Sequence, residues 1–242
     1  MKIAVVSDIH GNYDALEAVI ENVDQQGGVT KIFCLGDIIG YGAQPNECTA
    51  KVRELECICV AGNHDFASVG KLSFEFFNTY AKKSAVWTKE TLNKENIAWI
   101  QGLTYLKEVD AFTLVHGTPF SPEMFHYIST LNDAKVSFEE MKGEICFVGH
   151  SHVPIVFFDT NPISYVVGKD EIKIGRKEKM IVNVGSVGQP RDENPKSCYA
   201  VYDSEEGTVK LIRVKYDLDA AYNKIVKAGL PEILAARLRE GR

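Results

Sequence analysis

KIAVVSDIHGN, residues 2–12, passes within one short stretch from a β-branched apolar run to a polar cluster rich in metal-ligand side chains. About five apolar residues bounded by polar ones are too few for a helix and suit a short strand buried on both faces. The segment that follows carries Ala15, Leu16, Val19, Ile20 and Val23 on one helical stripe, closed by Gly27-Gly28. The unit is therefore strand, polar turn, helix. It recurs as KIFCLGD (31–37), a helical stretch near 45–55 opening at Pro45, and CICVAGN (57–63). Three such strands separated by helices predict an α/β fold with a parallel sheet covered on both faces.

Downstream the pattern changes. Residues 66–103 have helical spacing and no strand signal, which predicts a helical insertion that either covers a sheet edge or closes over a site. From about 104 strands dominate, through YLKEV, FTLVHG, EICFVGH, PIVFFD, KMIVNVG, SCYAVYD and TVKLIRV, with 121–141 reading as helical. The second half is then a mostly antiparallel or mixed sheet, packed on the first sheet with helices outside. A final helical segment at 217–240 restarts at Leu230-Pro231-Glu232. No internal repeat or linker divides the chain, so residues 1–242 are expected to form a single domain.

Composition narrows the function classes. The formal charge of −6 argues against an extended nucleic-acid binder, because little bulk positive charge is available to displace phosphate counterions. The N terminus lacks a signal-type apolar region, and no stretch approaches the ~18–20 apolar residues of a membrane span. These readings predict a cytoplasmic protein without a membrane partner. The six cysteines form no CxxC pair and sit mostly in apolar segments, which predicts reduced, buried thiols. Cys57 and Cys59 alternate onto one sheet face, a packing pattern with no second pair to complete a zinc site.

The polar residues collect where the strands stop. The ends are Ser7-Asp8-Ile9-His10-Gly11-Asn12, Gly36-Asp37, Gly62-Asn63-His64-Asp65, Val115-His116-Gly117 and Gly149-His150-Ser151-His152, which together hold five of the six histidines. In an open α/β sheet the carboxyl ends of strands form the ligand crevice. Taken singly, each cluster has an ordinary reading: a helix cap for Asp8-x-His10, a turn for Gly36-Asp37, a cap for Asp65, a hydrogen-bonded surface histidine for His116. Taken together, two Asp, four His and one Asn are enough for two transition-metal spheres if one carboxylate bridges ions ~3.5–4 Å apart.

The order DxH, GD, GNHD, H, GHxH, with its flanks AVVSDIHGN, FCLGDIIGYG, VAGNHDF, LVHGTP and FVGHSHVP, resembles the calcineurin-like metallophosphoesterases. The later stretch NVGSVGQPR (183–191) resembles the NPGSVGQPR segment of a prokaryotic branch of predicted phosphoesterases, with Val184 in place of the proline. The resemblance implies a four-layer αββα sandwich of two mixed sheets flanked by helices. It implies one metal on Asp8, His10 and His152, with Asp37 bridging to a second metal on Asn63, His116 and His150. It also implies that His64 is catalytic beside the substrate phosphate. The implied cofactors are two divalent or mixed-valence ions chosen from Mn, Fe, Ni, Co or Zn. The implied chemistry is hydrolysis of small phosphodiesters, phosphomonoesters or nucleotides by attack of a metal-bridging hydroxide.

The second motif reads Gly36-Asp37-Ile38-Ile39-Gly40-Tyr41-Gly42. It lacks the second aspartate and the arginine of the GDxxDRG form that Ser/Thr protein phosphatases and symmetrical dinucleoside tetraphosphatases carry. Arg191, Tyr41 and Asn12 are candidate substrate contacts, with a surface ion pair as the other reading of Arg191. Tyr41, Phe66, Phe120, Phe125, His126 and Tyr127 form either a base-stacking wall or ordinary core. A metal-binding scaffold without catalysis is the rival class, and it predicts a missing ligand or a missing catalytic histidine. None is missing.

Overall fold

Successive side chains of a strand point to opposite faces, and in Lys2–Val6 (β1) both faces are covered. Ile3 and Val5 enter one apolar cluster, Ala4 and Val6 another. The computed structural model describes residues 1–75, 77–167, 170–175 and 178–242. After β1 come α1 (Tyr13–Gln25), β2 (Lys31–Cys34), α2 (Pro45–Glu54), β3 (Ile58–Cys59), α3 (Asn63–Ser68), α4 (Thr79–Thr91) and α5 (Lys94–Gln101). The chain continues with β4 (Leu106–Val109), β5 (Phe112–Val115), α6 (Leu131–Glu140), β6 (Ile145–Val148), β7 (Ile155–Phe158), β8 (Ser164–Val167), β9 (Glu171–Lys173) and β10 (Met180–Asn183). It ends with β11 (Ser197–Asp203), β12 (Thr208–Val214), α7 (Leu218–Lys227) and α8 (Glu232–Glu240).

Two six-stranded mixed sheets result, ordered β3-β2-β1-β11-β12-β9 and β4-β5-β6-β10-β7-β8. Their inner faces meet through Ile3, Val5, Phe33, Leu35 and Val60 on one side and Phe112, Leu114, Phe147, Met180 and Val182 on the other. The outer face of the first sheet packs on α1 and α2 through Leu16, Val19 and Val52; that of the second packs on α6 through Ala134 and Phe138. This is the expected αββα sandwich.

The two halves of the chain do not map onto the two sheets as the sequence pattern suggests. β11 and β12 return to the first sheet, where β11 pairs antiparallel with β1. Without them the second edge of β1 would leave buried backbone groups unpaired. β8 and β9, mostly exposed, carry too little apolar alternation to be read in advance. The helix expected over 121–141 is confined to Leu131–Glu140, preceded by a single 3₁₀ turn at Pro122–Met124. Ser121 and Phe125 on either side of that turn have φ of 44° and 51°, left-handed values that a helix cannot continue through. Helices do occupy most of 66–103, although position 76 lies outside the described residues. Among the described residues no helix is long and apolar enough to cross a membrane.

All six cysteines are free thiols, and only Cys57 is not fully buried. Burial pushes the thiols of Cys48, Cys146 and Cys198 above their usual range, which keeps them in the unreactive protonated form. Iodoacetamide at pH 8 is expected to label native protein at Cys57 alone within minutes, and all six positions after unfolding in guanidinium. Peptide mass spectrometry reads the difference.

Candidate metal centre

The sheet architecture brings five loops to one edge. β1 delivers Asp8 and His10, β2 delivers Asp37, β5 delivers His116 and β6 delivers His150 and His152, while Asn63 and His64 open α3. Two groups of ligand atoms form: Asp8, His10 and His152 in one, Asp37, His116 and His150 in the other, with the atoms of each group within 4.8 Å of one another. All six residues are buried.

The hydrogen bonds decide which atoms face inward. His10 Nδ1 contacts the Ile39 carbonyl, His116 Nδ1 the Leu35 carbonyl and His152 Nδ1 the Gln189 carbonyl. A carbonyl only accepts, so each Nδ1 carries the hydrogen, and in the neutral ring Nε2 is left with a lone pair. Yet His10 Nε2 and His152 Nε2 lie 3.1 Å apart, and His116 Nε2 lies 3.1 Å from His150 Nδ1. The carboxylates follow the same rule. Asp8 Oδ2 accepts the His150 amide and Asp37 Oδ1 the His64 amide. The free Asp8 Oδ1 sits 3.2 Å from His152 Nε2, and Asp37 Oδ2 sits 3.3 Å from His116 Nε2 and 3.7 Å from His10 Nε2. Asp37 Oδ2 thus reaches both groups. Asp8 Oδ1 and Asn63 Oδ1 are buried and, among the described residues, have no hydrogen-bond partner.

Such an arrangement of converging lone pairs fits bound cations and little else. Burial lowers the imidazole of His150 to about 3 and that of His64 to about 4, with the charge of Asp37 opposing in both cases. Burial acts on His116 in the same sense, but Asp37 and Asp8 outweigh it and push the ring up to about 9. Burial alone would raise the carboxyls of Asp8 and Asp37, yet the neighbouring imidazoles hold both below the usual range.

The backbone is bent to make this possible. Asp8, His10, Asp37, His150 and His152 all have φ between 50° and 66°, a left-handed conformation that costs non-glycine residues of order 1–3 kcal/mol each. Asp and His are among the residue types that tolerate it best. Close approach does the rest: a Cβ on Gly149 would strike Ser7 Oγ and Asp8 Oδ2, and one on Gly36, at φ 92°, would strike the Gly62 amide nitrogen.

The stretch 183–191 acts as a clamp on these loops. Val187 and Gly188 amides donate to the Ser7 and Asp8 carbonyls, Ser186 Oγ donates to the Asp8 carbonyl, and Asn183 Nδ2 donates to the Gly149 carbonyl at 2.6 Å. Asn183 and Ser186 were not anticipated, although Asn183 ends β10 just as the metal-group residues end their strands. Asp65 caps α3 from within its first turn, through the Gly62 amide, and does more besides. It accepts the amides of Ile38, Ile39 and Gly62 and so ties the second and third loops together, and burial raises its carboxyl to about 7.

A polar pocket of about 110 Å³ opens beside the two groups, lined by Tyr41, Asn63, His64, Phe77, Tyr127 and Arg191 among others. Among the described residues His64 Nδ1 has no hydrogen-bond partner. Its ring lies 4.5 Å from Tyr41 and 4.7 Å from Phe77, so aromatic contact, not a carboxylate, holds it. Arg191 Nη2 donates to Gln189 Oε1, its guanidinium lies 5.7 Å from the Tyr41 ring centroid, and among the described residues no acid pairs with it. The surface-pair reading of Arg191 therefore fails. Asn12 is not in this pocket: its Oδ1 caps α1 at Ala15 and its Nδ2 donates to the Gly188 carbonyl, so both polar atoms are spent on structure. The stacking wall also divides. Phe66 and Phe125 are core, Tyr41 and Tyr127 line the pocket, and Tyr127 stacks on His150 at 4.0 Å.

A sequence model of the calcineurin-like phosphoesterase superfamily domain matches residues 1–207. The chain belongs to that family. It is 40% identical over 245 residues to an uncharacterized protein of Methanocaldococcus jannaschii, covering 99% of this chain and 98% of that one. The phosphodiesterase YfcE of Escherichia coli K12 is 26% identical over 215 residues, covering 85% and 89%. The crystal structure of a metallophosphoesterase from Sphaerobacter thermophilus superposes with a TM-score of 0.89 at 36% identity, over 100% of this chain and 99% of that one. A Pyrococcus horikoshii protein shares the fold at a TM-score of 0.79 and 21% identity, over 100% and 98%. Family and side-chain groups together point to a dinuclear divalent metal site.

If cations relieve the lone-pair repulsion, they stabilise the fold. Chelator-stripped protein is expected to gain roughly 5–10 °C in Tm on adding Mn²⁺ at about 100 times its dissociation constant. Gly149→Ala, which displaces Asp8, should lose most of that gain; differential scanning calorimetry measures both.

Proposed function

We propose that this protein is a dinuclear-metal-dependent phosphoesterase acting on small phosphate esters, phosphodiesters foremost. The observation that carries this reading is the pair of converging lone-pair groups with Asp37 Oδ2 between them, opening on a pocket that holds Arg191 and His64. Asp8, His10 and His152 would hold one ion and Asn63, His116 and His150 the other, with Asp37 shared. Two ions so held supply Lewis acidity toward phosphoryl oxygens and lower the pKa of water for attack on phosphorus.

The chain's own residues do the remainder. Arg191 lies in the pocket wall, unpaired with any acid among the described residues, and offers a planar donor fork to the non-bridging phosphate oxygens. Among the described residues one imidazole nitrogen of His64, within the same wall, has no hydrogen-bond partner; burial keeps the free ring neutral, so it would take up the proton that it gives to the departing alkoxide oxygen once an anionic phosphate lies beside it. Tyr41, which contacts the rings of both His10 and His64, fixes the orientation of His64 and floors the Arg191 guanidinium. The 26% identity to a protein named as a phosphodiesterase supports the diester preference.

The test is turnover of bis-p-nitrophenyl phosphate and p-nitrophenyl phosphate by chelator-treated protein, with Mn²⁺, Ni²⁺, Co²⁺ or Zn²⁺ restored singly. Metal-dependent release of p-nitrophenol, faster from the diester, is expected; no release with any metal would overturn the reading. His64→Gln should keep the metal stoichiometry of the parent while losing about 10²-fold in kcat, as removal of a general acid predicts.

A further inference from the structure

The metal-side pocket, at about 110 Å³, has room for a phosphoryl group but not for much else. A second cavity of about 310 Å³ adjoins it, lined by Thr118, Phe120, His126, Tyr127, Asp133 and Ser137 with Val136. Tyr127 lines both. Its size falls at the lower end of small-molecule sites. Resting on the phosphoesterase reading above, we propose that this second cavity binds an aromatic ring esterified to the substrate phosphate, specifically a nucleobase bearing an N–H donor on its edge.

Three observations converge on that occupant. First, the rings are arranged to stack: Phe120 and His126 lie near parallel, with an interplanar angle of 22° and centroids 6.5 Å apart, and Phe120 and Tyr127 are 45% and 49% exposed. Large aromatic rings left open to water on the wall of a cavity, beside a phosphate-sized pocket, offer π-faces to a planar ligand. Second, the cavity is electrostatically opposite to its neighbour. Arg191 lines the metal side with Asp37, whose charge the ions of the proposed function would neutralise, whereas Asp133 lines this one with no Lys or Arg beside it, so a phosphate would be drawn to the metal-loaded pocket and repelled from the second. A substrate with one anionic and one neutral aromatic end therefore has only one orientation. Third, the carboxylate retains an acceptor. All hydrogen bonds of Asp133's side chain among the described residues fall on Oδ2, which takes the Ser129 and Thr130 amides. Oδ1 is left for a donor such as an exocyclic amine. The shared residue links the two chambers mechanically as well, since the Tyr127 ring is stacked on His150 at 4.0 Å with an interplanar angle of 13°.

Titration calorimetry on the Mn²⁺-loaded protein, with adenosine 5′-monophosphate and ribose 5-phosphate as probes, reads binding without requiring turnover. The nucleotide is expected to bind about tenfold tighter than the sugar phosphate, the magnitude of one stacked base. Phe120→Ala, and separately His126→Ala, should reduce that ratio to within about twofold through loss of nucleotide affinity, with Tm held within a degree or two because both side chains are at the surface. Equal affinity of the two probes for the parent, or a ratio that survives both substitutions, overturns the inference and leaves the phosphoesterase reading standing. Failure of both probes to bind would overturn the two together.

Discussion

Lone pairs that face one another in a buried space repel, and this centre is built from such confrontations. His10, His116 and His152 each direct Nδ1 to a backbone carbonyl, which turns Nε2 inward. The carboxylates spend one oxygen on backbone amides and present the other to the same space. The two carboxylates call for positive charge there, and their pull on the His116 ring, pushed up to about 9, is the sign of it. The rest of the molecule follows from the need to hold these groups together in spite of that.

The restraint is mostly backbone. Parallel strands β1, β2, β5 and β6 end at one edge, and their loops are locked by amide-to-carbonyl bonds between loops, such as His10 to Asp37 and Gly149 to His116. Left-handed conformations at five of the metal-group residues store strain that the sandwich must overcome. It can do so because apolar clusters on both faces of each sheet supply far more stabilisation than a few strained residues remove. Rigidity of this kind preorganises a charged centre, so little rearrangement is needed when ligand charge develops there.

Much of this was legible in the sequence because it depends on local signals. A short apolar run ending in Asp, His or Gly-Asp identifies both the strand and what its end carries, and every such residue in the metal groups was found that way. What could not be read depends on tertiary crossing. The return of β11 to pair with β1 leaves no local trace, and neither does the use of Ser186 and Val187 to clamp the Asp8 loop. Asn12 misled for a related reason: a polar residue beside a metal motif looks like a ligand contact, but here it caps α1 and holds Gly188. Phe66 and Phe120 carry the same side chain, yet one is 1% exposed and the other 45%, a difference set by which loop turns away from the core. Phe77 of the helical region reaches the pocket with no sequence signal to mark it.

The missing GDxxDRG residues also have a structural counterpart. With no second aspartate in the Gly36–Gly42 loop, His64 is steadied by the rings of Tyr41 and Phe77, and the guanidinium in the pocket wall comes from Arg191 on the clamp segment. In the proposed function the same demands, an oriented imidazole and a positive fork, would be met from different parts of the chain. The proposed function requires cations in the two lone-pair groups. Anomalous diffraction from crystals grown with Mn²⁺, recorded on both sides of the metal edge, tests it most directly. Two peaks about 3.5–4 Å apart, with Asp37 Oδ2 between them, are predicted; a single peak, or none, would contradict it.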